Sequence, residues 1–289
     1  MNNYSNWDEY TGTVEGSGRS QKFWLQNPDT GQIALFKVKK DRNTTDHISE
    51  RIAYQLAEKA GIECAYYAVG MYHGQEGSLS YNILQSEEET LKEGIYYIGK
   101  KYPSYDADNM YDTKTQAVYS FEMIEESLQE YGFMNDFLKI PVFDFFIGNT
   151  DRHQNNWAVL ERAGREQISP LYDNSSSLCA YEKEPEVYLG KDAARFDALV
   201  DTKSRSAIRL KKTDLKKPTH KQVLWYLNRR YPQAVEWEQR LLDYLTQPVI
   251  NDILNDYDSA LLSNNKKELI ARFLKAKRYI LQQILMGKE

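Results

Sequence analysis

The stretch Ile147-Gly148-Asn149-Thr150-Asp151-Arg152-His153-Gln154-Asn155-Asn156 decides the reading of this chain, together with Pro170-Leu171-Tyr172-Asp173-Asn174-Ser175 downstream. Asn156 stands five residues after Asp151, and Asp173 twenty-two residues after it. Phosphoryl transfer from a nucleotide asks for this order. One aspartate orients the acceptor hydroxyl and takes its proton. An asparagine on the same loop offers an oxygen to Mg²⁺, and a second aspartate holds Mg²⁺ against the phosphates. The chain between them supplies a hairpin, because Trp157–Leu160 and Gln167–Leu171 read as strands around the turn Ala163-Gly164. Mg²⁺ suits a site of few carboxylates completed by phosphate oxygens. Each residue also suits a structural role: Asp151 as a helix cap, Asn156 closing a turn, Asp173 in an Asx-turn.

The upstream chain carries the other half of such a site. Gly16-Ser17-Gly18 lies between two strand-like segments within Gly12–Leu25, where backbone can approach phosphates. It lacks the third glycine of G-x-G-x-x-G, and no P-loop is present. Ile33–Val38 is a short apolar strand whose one charge, Lys37, is placed to meet the α- and β-phosphates of ATP. Asp46–Ala60 reads as a helix, with Ile48, Ile52, Leu56 and Ala60 on one face and Gly61 as its C-cap glycine. Glu50, near its start, is the carboxylate that holds Lys37; the plainer role for it is a partner to the helix dipole. Gly loop, Lys37, Glu50, Asp151, Asn156 and Asp173 occur in working order.

The segments I-G-N-T-D-R-H-x-x-N and P-L-Y-D-x-x-S, with K-K-P-T-H near Pro218, resemble those of HipA-like serine/threonine kinases. The resemblance runs from about Tyr10 to the C-terminus and is densest at 141–177. It implies an α/β, bilobal protein-kinase-like fold, with a small strand-rich N-terminal lobe and a mostly helical C-terminal lobe. It makes Asp151 the catalytic base, Asn156 and Asp173 the Mg²⁺ ligands, and Lys37 the ATP-phosphate lysine. Long HipA toxins carry an additional N-terminal subdomain, whereas the Gly loop here begins by residue 16, so a compact, core-only member is expected. The resemblance also implies a protein acceptor such as a translation factor or tRNA synthetase, an antitoxin partner, and autophosphorylation at Ser17 or Ser20.

Composition agrees with a globular enzyme. The 289 residues are 41 % hydrophobic and 27 % charged, enough to bury a sizeable core. A net charge of −5 argues against a surface built to grip nucleic acid, although Lys191–Lys217 carries nine Lys or Arg against four Asp. Cys64 and Cys179 form no CxxC, which excludes a Cys-rich zinc site. No secretory signal or membrane span is legible, so a soluble, cytoplasmic protein is expected. The polar, turn-rich stretch 86–116 is the expected boundary between lobes 1–85 and 86–289. Helices are expected at Val118–Glu130, Asn135–Ile147, His220–Arg230, Ala234–Leu245 and Asn265–Met286. A small-molecule phosphotransferase and a partner-binding pseudokinase are the rival readings.

Overall fold

The computed structural model describes residues 1–12, 21–190 and 193–287. The glycine turn, with Gly16, Ser17, Gly18 and Ser20, therefore lies outside the described residues. The strands β1 (Asn2–Asn3), β2 (Asp8–Glu9), β3 (Lys22–Gln26) and β4 (Ile33–Val38) lead into helix α1 (Asp46–Lys59), followed by β5 (Tyr67–Tyr72) and β6 (Gln75–Tyr81). They form one six-stranded sheet in the order β1-β5-β6-β4-β3-β2, antiparallel except for β1 on β5. The turn between β5 and β6 is a tight one. His73 and Gly74, both at positive φ (45° and 79°), close a two-residue hairpin, so β6 begins at Gln75.

Period two along β4 sets what each face carries. Ala34 and Phe36 turn into a small core with Leu25, Tyr4, Tyr72 and Leu79. Lys37 is on the other face, where α1 lies. Ile48, Ile52 and Leu56 of α1 belong to the main core, shared with the helices that follow. The helix ends in a Schellman arrangement: Gly61 (φ 65°) donates to the Glu58 carbonyl and Ile62 to the Ala57 carbonyl.

The stretch 86–116 carries more structure than its polarity suggested: β7 (Thr90–Glu93), α2 (Gly94–Lys101), β8 (Tyr105–Asp106) and β9 (Tyr111–Asp112). Strand β7 pairs with β10 (Ala158–Arg162), which pairs with β11 (Arg165–Ile168), forming the hairpin expected after Asn156. Between them lie α3 (Phe121–Leu128), α4 (Met134–Phe137) and α5 (Lys139–Ile147). The helix expected over 135–147 is thus two helices, parted at Leu138. Pro141 falls in the first turn of α5, where a missing N–H leaves no hydrogen bond unmade.

Helices α6 (Glu186–Leu189), α7 (Ala193–Val200), α8 (His220–Arg230), α9 (Ala234–Tyr244), α10 (Gln247–Asn255) and α11 (Asn264–Leu285) complete the chain. Thr219 and Gln222 close a capping box at the start of α8. Buried α5 is the hub of the main core, with Val142, Phe143, Phe145, Phe146 and Ile147 all fully buried. Among the described residues no helix is long and apolar enough to cross a membrane.

Candidate active site

Helix α5 ends at Gly148, and this glycine has two reasons to be there. Its φ of 69° is left-handed, and a Cβ would come within 2.6 Å of the Phe273 ring on α11. The chain leaves α5 directly into the loop of Asp151. Asn149 fastens that exit: its N–H donates to the Asp144 carbonyl at 2.9 Å, and its Nδ2 to Asp144 Oδ1 at 3.1 Å. Its Oδ1 accepts the Asp151 N–H at 3.1 Å. Asp151 itself is exposed, its carbonyl accepting from Asn156 Nδ2 at 2.8 Å. That bond leaves Asn156 Oδ1 as the side-chain atom able to face a cation.

Asp173 returns on the segment after β11. It sits at φ 51°, a left-handed conformation that aspartate tolerates better than most side chains. Its N–H donates to Tyr67 Oη at 3.0 Å, and its Oδ1 accepts from Ser175 Oγ at 3.0 Å. The Lys37 ammonium lies 2.8 Å from Asp173 Oδ1 and 3.7 Å from Glu50 Oε1. Three residues from β4, α1 and the post-hairpin segment thus meet at one point. The closer carboxylate is Asp173; Glu50, fully buried, uses Oε2 to accept the Asn174 N–H at 2.8 Å. Glu50 Oε1 has no hydrogen-bond partner among the described residues.

The charges follow from these contacts. Burial works against the Lys37 ammonium, but the carboxylates of Asp173 and Glu50 outweigh it and raise its pKa above the ordinary lysine value. Burial likewise opposes the Asp173 carboxylate, yet Lys37, Ser175 and Arg152 hold it well below the usual carboxylate range. For Glu50, burial wins over the pull of Lys37 and pushes the carboxyl up to about 7. The site holds one firmly ionised pair, Lys37 and Asp173, with a softer acid behind it.

A residue that sequence reasoning passed over organises all of this. Arg152 is 1 % exposed and makes five hydrogen bonds. Its Nε and Nη2 grip both carboxylate oxygens of Asp144 on α5, at 2.9 and 2.7 Å. Nη1 donates to the carbonyls of Asn156 and Tyr172, at 2.6 and 2.7 Å, and Nη2 also donates to Asn174 Oδ1 at 2.7 Å. One guanidinium therefore ties the Asp151–Asn156 loop and the Asp173 segment to the core helix. Thr150 adds a backbone bond to the Ser176 carbonyl. In the basic stretch, Lys212 is paired with Glu126 of α3 at 2.5 Å.

Comparisons with known proteins bear on the fold and the family. Residues 14–224 match the model of the HipA-like C-terminal domain. The fold is similar to that of the Helicobacter pylori proinflammatory kinase CtkA, at a TM-score of 0.80 and 14 % identity over 99 % of each chain. It is also similar to HipA of Shewanella oneidensis, solved as a toxin–antitoxin complex with HipB and operator DNA. There the TM-score is 0.62 at 12 % identity, covering 98 % of this chain and 67 % of HipA. No curated protein matches the sequence. With more than two-thirds of its length matched by that family's model, the chain belongs to the HipA-like C-terminal domain family.

Proposed function

We propose that this chain is an ATP- and Mg²⁺-dependent protein kinase acting on serine or threonine hydroxyls. One observation carries the reading: Lys37, Glu50 and Asp173 meet within 3.7 Å, beside a loop that presents Asp151 and Asn156. Lys37 is the cation for the α- and β-phosphates, and Glu50 backs it from α1. Asp151, exposed on a loop held by the Thr150 N–H on the Ser176 carbonyl and by its own N–H and carbonyl on the Asn149 and Asn156 side chains, accepts the proton of the acceptor hydroxyl. Asn156 Oδ1 and the Asp173 carboxylate are hard oxygen ligands suited to Mg²⁺. When bound, the metal neutralises charge developing on the phosphates. Among the described residues no group of three or more His, Cys, Asp or Glu could hold a metal unaided. A cation here takes its remaining ligands from phosphate and water. Catalysis is mainly positioning and electrostatic stabilisation.

The family supports a partner proposal as well. HipA of Shewanella oneidensis is solved with HipB, so a small antitoxin protein is the proposed partner, a cytoplasmic toxin the proposed role, and a translation factor or tRNA synthetase the proposed acceptor class. Purified chain incubated with labelled ATP, Mg²⁺ and a lysate tests the activity. Labelled protein bands carrying phosphoserine or phosphothreonine are expected. Label recovered only in small molecules, or bound ATP with no transfer, would overturn the reading.

A further inference from the structure

His220 ends the K-K-P-T-H stretch, which the transfer chemistry leaves without a task. Its ring is buried between α8 and the loop of Asp151. Nε2 lies 2.8 Å from the Asn149 carbonyl oxygen, and Nδ1 lies 2.9 Å from Ser204 Oγ. On α11, Lys277 reaches the same hydroxyl, Nζ to Ser204 Oγ 2.9 Å. Lys277 is 1 % exposed and has no ion pair among the described residues; its ammonium faces the rings of Phe145 and Phe273, 4.8 and 5.2 Å away.

Chemistry assigns every hydrogen in this chain. A carbonyl only accepts, so Nε2 carries the ring proton. Burial and the nearby Lys277 hold the His220 pKa down to about 3, so the ring is neutral and Nδ1 accepts. The Ser204 hydroxyl must then donate to Nδ1, and its free lone pair takes an N–H from Lys277. Donation runs one way, from Lys277 through Ser204 and His220 to Asn149. Asn149 is the residue whose side chain accepts the Asp151 N–H. A buried lysine with no carboxylate in ion-pair contact among the described residues, Asp201 acting on it only from farther off, is costly to a core, and an apolar side chain on Phe145 and Phe273 would be simpler packing. The arrangement makes sense when the carbonyl at the far end has to stay put.

We propose that Lys277, Ser204 and His220 form a positioning chain that fixes the Asn149 carbonyl and thereby the backbone of Asp151. The catalytic consequence rests on the kinase reading; the hydrogen-bond directions do not. Two measurements on the full chain test them. ¹⁵N spectra of histidine-labelled protein should show His220 as the neutral Nε2–H tautomer from pH 8 to pH 5; an Nδ1–H tautomer, or titration near the ordinary histidine value, overturns the chain. In kinetics, His220→Leu should lower kcat about tenfold or more, because small displacements of a positioned group are costly, with the ATP KM within about twofold of wild type. His220→Gln, whose amide N–H can still reach the carbonyl, should recover much of that loss. If His220→Leu fails to fold, Ser204→Ala and Lys277→Met carry the kinetic test. Wild-type kcat in the folded variants, or kcat falling in step with ATP affinity, overturns the positioning role. A wild-type chain that transfers nothing refutes the kinase reading, and the tautomer then decides the chain by itself.

Discussion

Replacing Arg152 with methionine removes a group that joins three parts of the site. The side chain is 1 % exposed and its partner Asp144 is 4 % exposed. Five charge-assisted hydrogen bonds disappear together. Their separate values, about 1.5–3 kcal/mol each, do not add, since most of that is offset by the cost of burying the ions. The better guide is the cost of stranding one member of a buried pair, about 3–5 kcal/mol. Among the described residues, Asp144 would keep only the Asn149 side-chain amide at 3.1 Å. Against a total stability of about 5–15 kcal/mol this is severe, and it corresponds to a Tm lower by roughly 10 °C. Arg152→Lys should do nearly as badly, because it keeps the charge and loses the fork that serves four acceptor residues. Urea and calorimetric unfolding of Arg152→Met, Asp144→Asn and the double variant measure the effect. A coupling of about 2–3 kcal/mol between the two sites is expected. A folded Arg152→Met within about 1 kcal/mol of wild type, with no coupling to Asp144, would refute the view that this guanidinium holds the site together.

Asp151→Asn should cut kcat by about 10²-fold or more while ATP affinity is kept, since the base meets only the acceptor; wild-type turnover would contradict the role. Asp173→Ala should abolish the Mg²⁺-dependent part of ATP binding, read by calorimetry with Mg²⁺ against EDTA. Lys37→Met should weaken ATP binding and also free Asp173, whose pKa should rise toward the ordinary carboxylate value in an NMR titration. His220, neutral when folded to about pH 3, contributes stability that is full above the unfolded histidine pKa and lost as pH falls from about 6.5 toward 3; His220→Gln should flatten that slope in pH-dependent urea melts. Lys277, pushed down to about 7 by burial, contributes stability that is present above about 10.5 and lost as pH falls toward 7, so Lys277→Met should raise Tm at pH 7 while lowering kcat.

What the sequence disclosed depended on contrast. Lys37 was legible because it is the one charge in an apolar strand, and α1 because its apolar residues recur every fourth position. Asp144 bears the same signal, a single charge within Pro141–Ile147, and was passed over as part of a core helix. Arg152 was illegible because an arginine between Asp and His reads like a surface patch; its burial follows from what α5 and the Asp173 segment bring to it. Helices α2 and α10 escaped for different reasons. The first sits in a stretch whose overall polarity hid it. The second is nine residues long and begins with a proline at its first turn. His220 was visible in its motif, but its task depends on a carbonyl seventy-one residues away in sequence.

The buried side chains fall into two clusters. Strands β3, β4 and β6 close around their own small cluster, whereas α1 contributes Ile48, Ile52 and Leu56 to the large cluster with the C-terminal helices. The helix is also stitched to the Asp173 segment, through Glu50 to the Asn174 amide and through the Thr45 N–H to the Ala180 carbonyl at 3.0 Å. Lys37 rides on the sheet and Glu50 on the helix. Lys37 and Glu50 therefore sit on opposite sides of the boundary between the two cores, bridged there by Asp173, which bonds Lys37 of β4 through its carboxylate and Tyr67 of β5 through its N–H. The 3.7 Å between Lys37 and Glu50 spans that boundary, and spectroscopic labels placed on β3 and α8 would read any change across it on nucleotide binding.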